Sequence, residues 1–259
     1  MIEKQILKQK LQEGKSKRQI TKELNSSEPT IRKYIKEYNL DNYYSFDISK
    51  NNQRNNKSVN IDYFKQIDTE EKAYIFGFIL SDGWISNKIL GFTLQSEDVD
   101  ILDKIKYCMG SKHKISYKKY ENKKSQKSLI ISSLEIVQDL QKLGITNNKS
   151  FEASIPFNCI PNHLIIHVLR GIFDGGGSFS QNRPCIATSS LTLKNDILEW
   201  CLRNYSVAPS VIQQGQSYRL YFNKNCFKII SDIYQNNKIV LDRKMKAFEK
   251  YYTHRINNQ

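Results

Sequence analysis

Asp82 stands next to last in the run Ala73–Gly83, AYIFGFILSDG, which is apolar almost throughout. A helix over that run finishes at an acid, where the helix dipole disfavours negative charge. Such an acid asks for a reason. One reason is chemical: carboxylates clamp divalent cations, and a cation so held activates water and neutralises a leaving oxygen. The plain alternative is a helix-terminal acid of no consequence. The matching run, HVLRGIFDGGGSF at residues 167–179, carries Gly176 at the place equivalent to Asp82. Helices do end at glycine, because only glycine enters left-handed backbone geometry without steric cost, but they seldom need three in a row. Two lysines also recur, Lys149 in NNKS and Lys244 in DRKM.

These residues belong to an internal repeat. Gly77 pairs with Gly171, Gly83 with Gly177, Ile85 with Phe179 and Ser86 with Ser180, all 94 residues apart. Downstream, DILDKIK from Asp100 matches DILEWCL from Asp196, and IVQDLQ from Ile136 matches IISDIY from Ile229. Each copy reads as an apolar helix, a strand (ILGFTLQ; PCIATSS), a second helix, two β-rich segments and a last helix. Asp68 or Thr69 caps the first helix, ahead of acids that suit its N-terminus. Helices and strands without regular βαβ alternation predict an α+β domain with antiparallel sheet covered on one face.

The chain of 259 residues is 39% hydrophobic and 11% aromatic, enough to build a core, so it is not a disordered protein. A formal net charge of +14 points to a polyanionic partner. Five cysteines without a C-x-x-C pair argue for reduced thiols, against a disulfide scaffold or zinc ribbon. His163 and His167 could mimic a zinc pair, but no third ligand sits nearby, and a packing or capping role is expected. No apolar start resembles a secretory signal, and no apolar run reaches the roughly 18 residues of a membrane span. A soluble, cytoplasmic protein with no membrane and no small-molecule substrate is expected.

Residues 1–38 read as three short helices, with Ile6, Leu7 and Leu11, then Ile20 and Leu24, then Ile31, Tyr34 and Ile35 as apolar stripes. Ser26 or Ser27 caps the third helix ahead of Pro29. From Lys15 to Tyr38 the pattern resembles a helix-turn-helix DNA-binding domain, with a trihelical protein-binding module as the alternative. In that resemblance residues 28–37 form the recognition helix, and Thr30, Arg32, Lys33 and Lys36 face the major groove or phosphates. Over residues 1–60 lysine and arginine outnumber acids 13 to 7, which favours DNA. Residues 39–60 are asparagine-rich and read as a linker, along which Arg54 and Lys57 could touch phosphates.

FGFILSDGWI and LRGIFDGGGSF resemble the two signature motifs of the LAGLIDADG homing endonucleases, in the single-chain form with two copies. The resemblance covers residues 61–252, with halves expected at 61–155 and 156–259. It implies two pseudo-twofold related αββαββα halves with saddle-shaped antiparallel sheets lying in the major groove of a long double-stranded DNA target. It also implies a monomer that hydrolyses both strands with Mg²⁺ or another divalent cation, leaving short 3′ overhangs. By that resemblance Asp82 is a catalytic metal ligand, the main-chain oxygens of Ser81 and Gly175 reach the metals, and Lys149 and Lys244 stabilise charge at the phosphate. Gly171 and Gly77 would let the two motif helices approach closely. The family pattern has an acid at position 176, so little or no double-strand cleavage is expected while glycine stands there; Asp174 aligns with Leu80 and is expected to cap or brace the interface.

Between Ser111 and Ser128 seven lysines face the single acid Glu121, and the segment reads as a basic hairpin. Lys112, Lys114, Lys118, Lys119, Lys123 and Lys124 are candidate phosphate contacts. Gln95 and Arg183 join Gln213, Gln214, Gln216 and Arg219 as candidate base or backbone contacts. Two other functions suit the same residues: a DNA-binding regulator that has dropped the chemistry, and an intron RNA maturase.

Overall fold

The computed structural model of the chain describes residues 2–15, 17–40, 59–119, 124–235 and 237–257. They divide into a small N-terminal unit reaching Leu40 and a large unit starting at Val59. Most of the expected linker, with Arg54 and Lys57, lies outside the described residues, as does Lys123.

Three helices, α1 (Lys4–Gln12), α2 (Lys17–Glu23) and α3 (Glu28–Glu37), make the small unit. They close over Leu7, Leu11, Ile20, Ile31, Ile35 and Leu40. Ile6, expected in the first stripe, is instead 41% exposed, because one turn of helix cannot aim both Ile6 and Leu7 at so small a core. Ser27 is the cap of α3: its hydroxyl accepts from the Thr30 amide at 3.3 Å, with Pro29 in the first turn.

The large unit repeats one plan. In the first copy α4 (Glu70–Ser81) leads into β1 (Gly83–Ser86), β2 (Ile89–Gln95), α5 (Val99–Cys108), β3 (Ile115–Lys118), β4 (Gln126–Ser132), α6 (Leu134–Lys142) and the short α7 (Lys149–Glu152). In the second, α8 (Ile165–Gly176) leads into β5 (Gly177–Ser178), β6 (Cys185–Thr188), α9 (Leu191–Tyr205), β7 (Ser210–Gln214), β8 (Ser217–Tyr221), α10 (Phe227–Tyr234) and α11 (Asp242–Asn257). The sheets are antiparallel and ordered alike, β1-β2-β4-β3 and β5-β6-β8-β7. The fold is α+β, as the mixed periodicity predicts.

Alternation along the strands decides which face is covered. Leu90, Phe92, Leu94, Leu129 and Ile131 point into the core, and Phe78 of α4 meets Phe92 at 6.1 Å between ring centres. Their neighbours Thr93 and Gln95 point to the open face. Thr69 caps α4, accepting from the Lys72 amide at 3.3 Å, with Glu70 and Glu71 in the first turn. One continuous core runs through both copies, with α4 and α8 at its centre.

Candidate functional site

Two glycines set how closely α4 and α8 approach. A methyl on Gly77 would overlap the Val168 carbonyl oxygen, and one on Gly171 would overlap the Tyr74 carbonyl oxygen. Backbone therefore lies on backbone at the crossing. At the helix ends Gly83 and Gly177 play matching parts, since side chains there would collide with Ile79 and Phe173 of their own helices.

The other two glycines of the second motif differ in kind. A methyl on Gly175 would overlap Ser81 Oγ and would sit 3.4 Å from Asp82 Cγ, so the Asp82 carboxyl reaches across to the end of α8. A methyl on Gly176 meets nothing closer than Ala187 O at 3.3 Å and Ser81 Cβ at 3.7 Å. Gly176 is the last residue of α8 and does not have a left-handed φ. Packing thus demands glycine at 177 and opposes a side chain at 175, while at 176 a methyl asks only a small shift of the Ala187 carbonyl.

Lys149 and Lys244 come to this junction from opposite copies. Lys149 Nζ donates to Ser81 O at 2.7 Å and Leu80 O at 3.1 Å, capping the last carbonyls of α4. Lys244 Nζ donates to Gly177 O beyond the end of α8. Both lysines are buried. Burial pushes the Lys149 amine down to about 8, against the pull of Asp82. Burial, then Arg243, lowers Lys244 too. Asp82 is moved upward by burial, with Lys149 and then Lys244 opposing that shift. The Ser81 carbonyl faces an ammonium, which disfavours it as a cation ligand.

Asp82 lines two clefts. One of about 320 Å³ also holds Lys149, Ser150, Gly176 and Thr188; the other, of about 490 Å³, holds Gln95, Glu97, Asp98, Lys124 and Arg243. A larger cleft of about 670 Å³, lined by Asp62, Lys65, Lys72 and Asp139, includes none of these residues. For a divalent cation, one hard carboxylate completed by phosphate oxygens and water fits at Asp82. Position 176 supplies no side-chain donor. Among the described residues no group of three His, Cys, Asp or Glu side chains could hold a metal alone, His163 and His167 included.

Asp174 has another part. It is 1% exposed and accepts from Tyr74 Oη, Tyr234 Oη and the Leu241 amide, each at 2.7 Å. Burial raises its carboxyl to about 6, while these three donors oppose the rise. Beside it Arg170, fully buried, donates to Ile239 O, Ile233 O and Glu70. Asp174 braces the interface between copies. Tyr74 and Arg170 sit within apolar runs that gave no sign of the network.

The outlying candidates occupy several surfaces. On the first sheet Gln95, Gln126 and Lys118 stand opposite one another across three strands, with Thr93, Ser128 and Ser116 next along the same open face. Lys112, Lys114, Lys119 and Lys124 are exposed near that edge, and Lys124 lies 3.4 Å from Glu97. On the second sheet Gln214 and Arg219 share the open face with Ile212 and Tyr221, over which Arg183 stacks at 4.7 Å. Gln216 is in the β7–β8 turn, whereas Gln213 follows the parity of Val211 and Leu220, facing the other side, and donates to Gly215 O. In the small unit Arg32 pairs with Glu28 at 2.7 Å and Lys33 with Glu37 at 3.6 Å, Thr30 is engaged by the Ser27 cap, and Lys36 is exposed.

No family model matches the sequence, and no curated protein does. Solved structures do match. The homing endonuclease I-WcaI bound to its DNA recognition sequence aligns over 71% of this chain and 90% of its own, at 14% identity and TM-score 0.51. I-DmoI in complex with DNA and calcium aligns over 74% of this chain and 99% of its own, at 15% identity and TM-score 0.50. With paired sheets in one strand order and two glycine-packed helices between them, the chain has the LAGLIDADG fold.

Proposed function

We propose that the chain is a site-specific, double-stranded DNA endonuclease of the homing type whose second motif acid is replaced by Gly176, leaving cleavage impaired. The observation that carries this reading is the meeting of Asp82, Lys149 and Lys244 at the ends of two helices packed backbone to backbone. I-WcaI and I-DmoI, which share the fold, were solved on DNA, and I-DmoI with calcium. The open sheet faces, with Gln95 and Lys118 on one and Gln214 and Arg219 on the other, are the proposed major-groove surfaces. The first offers lysines for phosphates; the second offers glutamine and arginine for base edges. The N-terminal unit, acting as a helix-turn-helix, lengthens the recognised site through Lys36, Arg32 and Lys33.

Asp82 would hold a divalent cation such as Mg²⁺, whose chemistry when bound is to activate water and neutralise the leaving oxygen. The carboxylate disfavours its charge where it is buried, so a cation beside it reverses the local penalty. Lys149 is fixed by two helix carbonyls. From there it can stabilise charge on a phosphate without first reorganising. Lys244 does the same from the other copy. With Gly176 in place one helix end lacks its carboxylate, so at most one strand is served.

The test is to select duplexes that the protein binds from a fragmented genomic library and to incubate them with Mg²⁺ and the Gly176→Asp variant. Cleavage at a single site, lost in Asp82→Ala, is expected. Tight binding of one site with no cleavage by any variant would favour the regulator reading, and preference for folded intron RNA would favour the maturase.

A further inference from the structure

The repeat contains a second pair of acids, Asp100 and Asp196, each opening the block Asp-Ile-Leu on the helix after the first hairpin. Each contacts the opposite copy. Asp196 Oδ2 accepts from the Ile155 amide at 2.8 Å, and the buried Ser190 hydroxyl in the same copy donates to Ala153 O at 2.6 Å. Residues 153 and 155 end the segment that starts with Lys149. Asp100 Oδ2 accepts from the Asp242 amide at 3.2 Å, two residues before Lys244. Its neighbour Lys104 donates to Val240 O at 2.8 Å and to Asp242, while Asp98 takes both arms of Arg243 at 2.7 and 2.8 Å.

The geometry has one logic in both directions. Ile101, Leu102 and Ile197 bury the apolar face of each helix in its own copy. The carboxylate on the same helix then holds a backbone amide of the chain that bears the other copy's lysine. We propose that Asp100 and Asp196 are reciprocal positioning residues, each fixing from its own half the segment that carries the lysine of the opposite half. The lysines need such support. A buried lysine free to leave its carbonyl partners would swing to water, where ammonium is better solvated. The device also links the halves: the segment bearing each lysine gains this anchor only when the other copy has folded against it. Its use in phosphodiester chemistry rests on the nuclease reading above, whereas the pinning of the two segments does not.

The experiment measures acylation of each lysine in the full chain by mass spectrometry, with no DNA present. Asp196→Ala should raise labelling of Lys149 by about threefold or more, the factor expected from one lost hydrogen bond, and leave Lys244 unchanged. Asp98→Ala combined with Asp100→Ala should do the reverse. Asp196→Asn keeps an oxygen for the Ile155 amide and should match the parent. Unchanged labelling, or equal rises at both lysines in either variant, overturns the proposal. In the Gly176→Asp background the same alanine variants should lower the single-turnover cleavage rate by on the order of tenfold with target binding unaltered, as for a misplaced catalytic group. If Gly176→Asp itself never cleaves, the nuclease reading fails while the labelling result still decides the pins.

Discussion

The two motif helices end differently, and the difference separates what the fold requires from what the chemistry requires. At the end of α4 stands Asp82, beside Lys149 and between two clefts. At the end of α8 stands Gly176, where the tightest contact of a methyl is the Ala187 carbonyl oxygen at 3.3 Å and no left-handed geometry demands glycine. Its neighbours tell the opposite story. Gly171 and Gly177 admit no methyl, so those glycines are architectural. Packing alone does not require glycine at 176.

Substitutions along the two helices can break that contrast. The largest effect is expected at the crossing: Gly77→Ala or Gly171→Ala drives a methyl into the partner backbone and should lower unfolding free energy by about 3 kcal/mol or more, measured by denaturant titration. A loss below about 1 kcal/mol would mean the helices can separate freely. Next, Lys149→Met or Lys244→Met in the Gly176→Asp background should cut the cleavage rate by on the order of a hundredfold, as removal of a preorganised donor does.

Asp174 sharpens the comparison from beneath. Its first-copy counterpart is Leu80, so the second helix carries a buried acid where the first carries a hydrocarbon. The Asp174 carboxyl is raised from near 4 in the unfolded chain to about 6. The native state therefore binds the proton more tightly, and this contribution to stability is full below about pH 4 and is lost as pH rises through about 6. Denaturation midpoints across that window should fall with pH in the parent relative to Asp174→Asn. Asparagine offers one oxygen to three donors, so that variant should also lose about 1–3 kcal/mol at pH 7. Smallest of all, Gly176→Ala should change stability by less than about 1 kcal/mol, since helix propensity favours alanine and the 3.3 Å contact opposes it.

Much of this was legible in the residues. Glycines at a fixed offset marked the crossing, the two lysines recurred at matching places in the copies, and ILGFTLQ read as a strand. Three things were not. Gln213 could not be told from Gln214 without the strand register, because a one-residue step reverses the face. Ile6 and Leu7 compete for one core, and only packing decides between them. Arg170 and Tyr74 read as interruptions in apolar runs, since their partners lie 63 to 100 residues away. The Asp100 and Asp196 pair was visible as a repeat, but its purpose appears only when each helix is seen against the other copy's chain.

The most direct test of the central claim, that the second helix end lacks only its acid, is strand-resolved single-turnover cleavage of one selected duplex by the parent and by Gly176→Asp. Double-strand cuts by Gly176→Asp alone, with the parent limited to one strand or none, are the predicted result. Equal cleavage of both strands by the two proteins would contradict the account, because position 176 would then have no part in the chemistry.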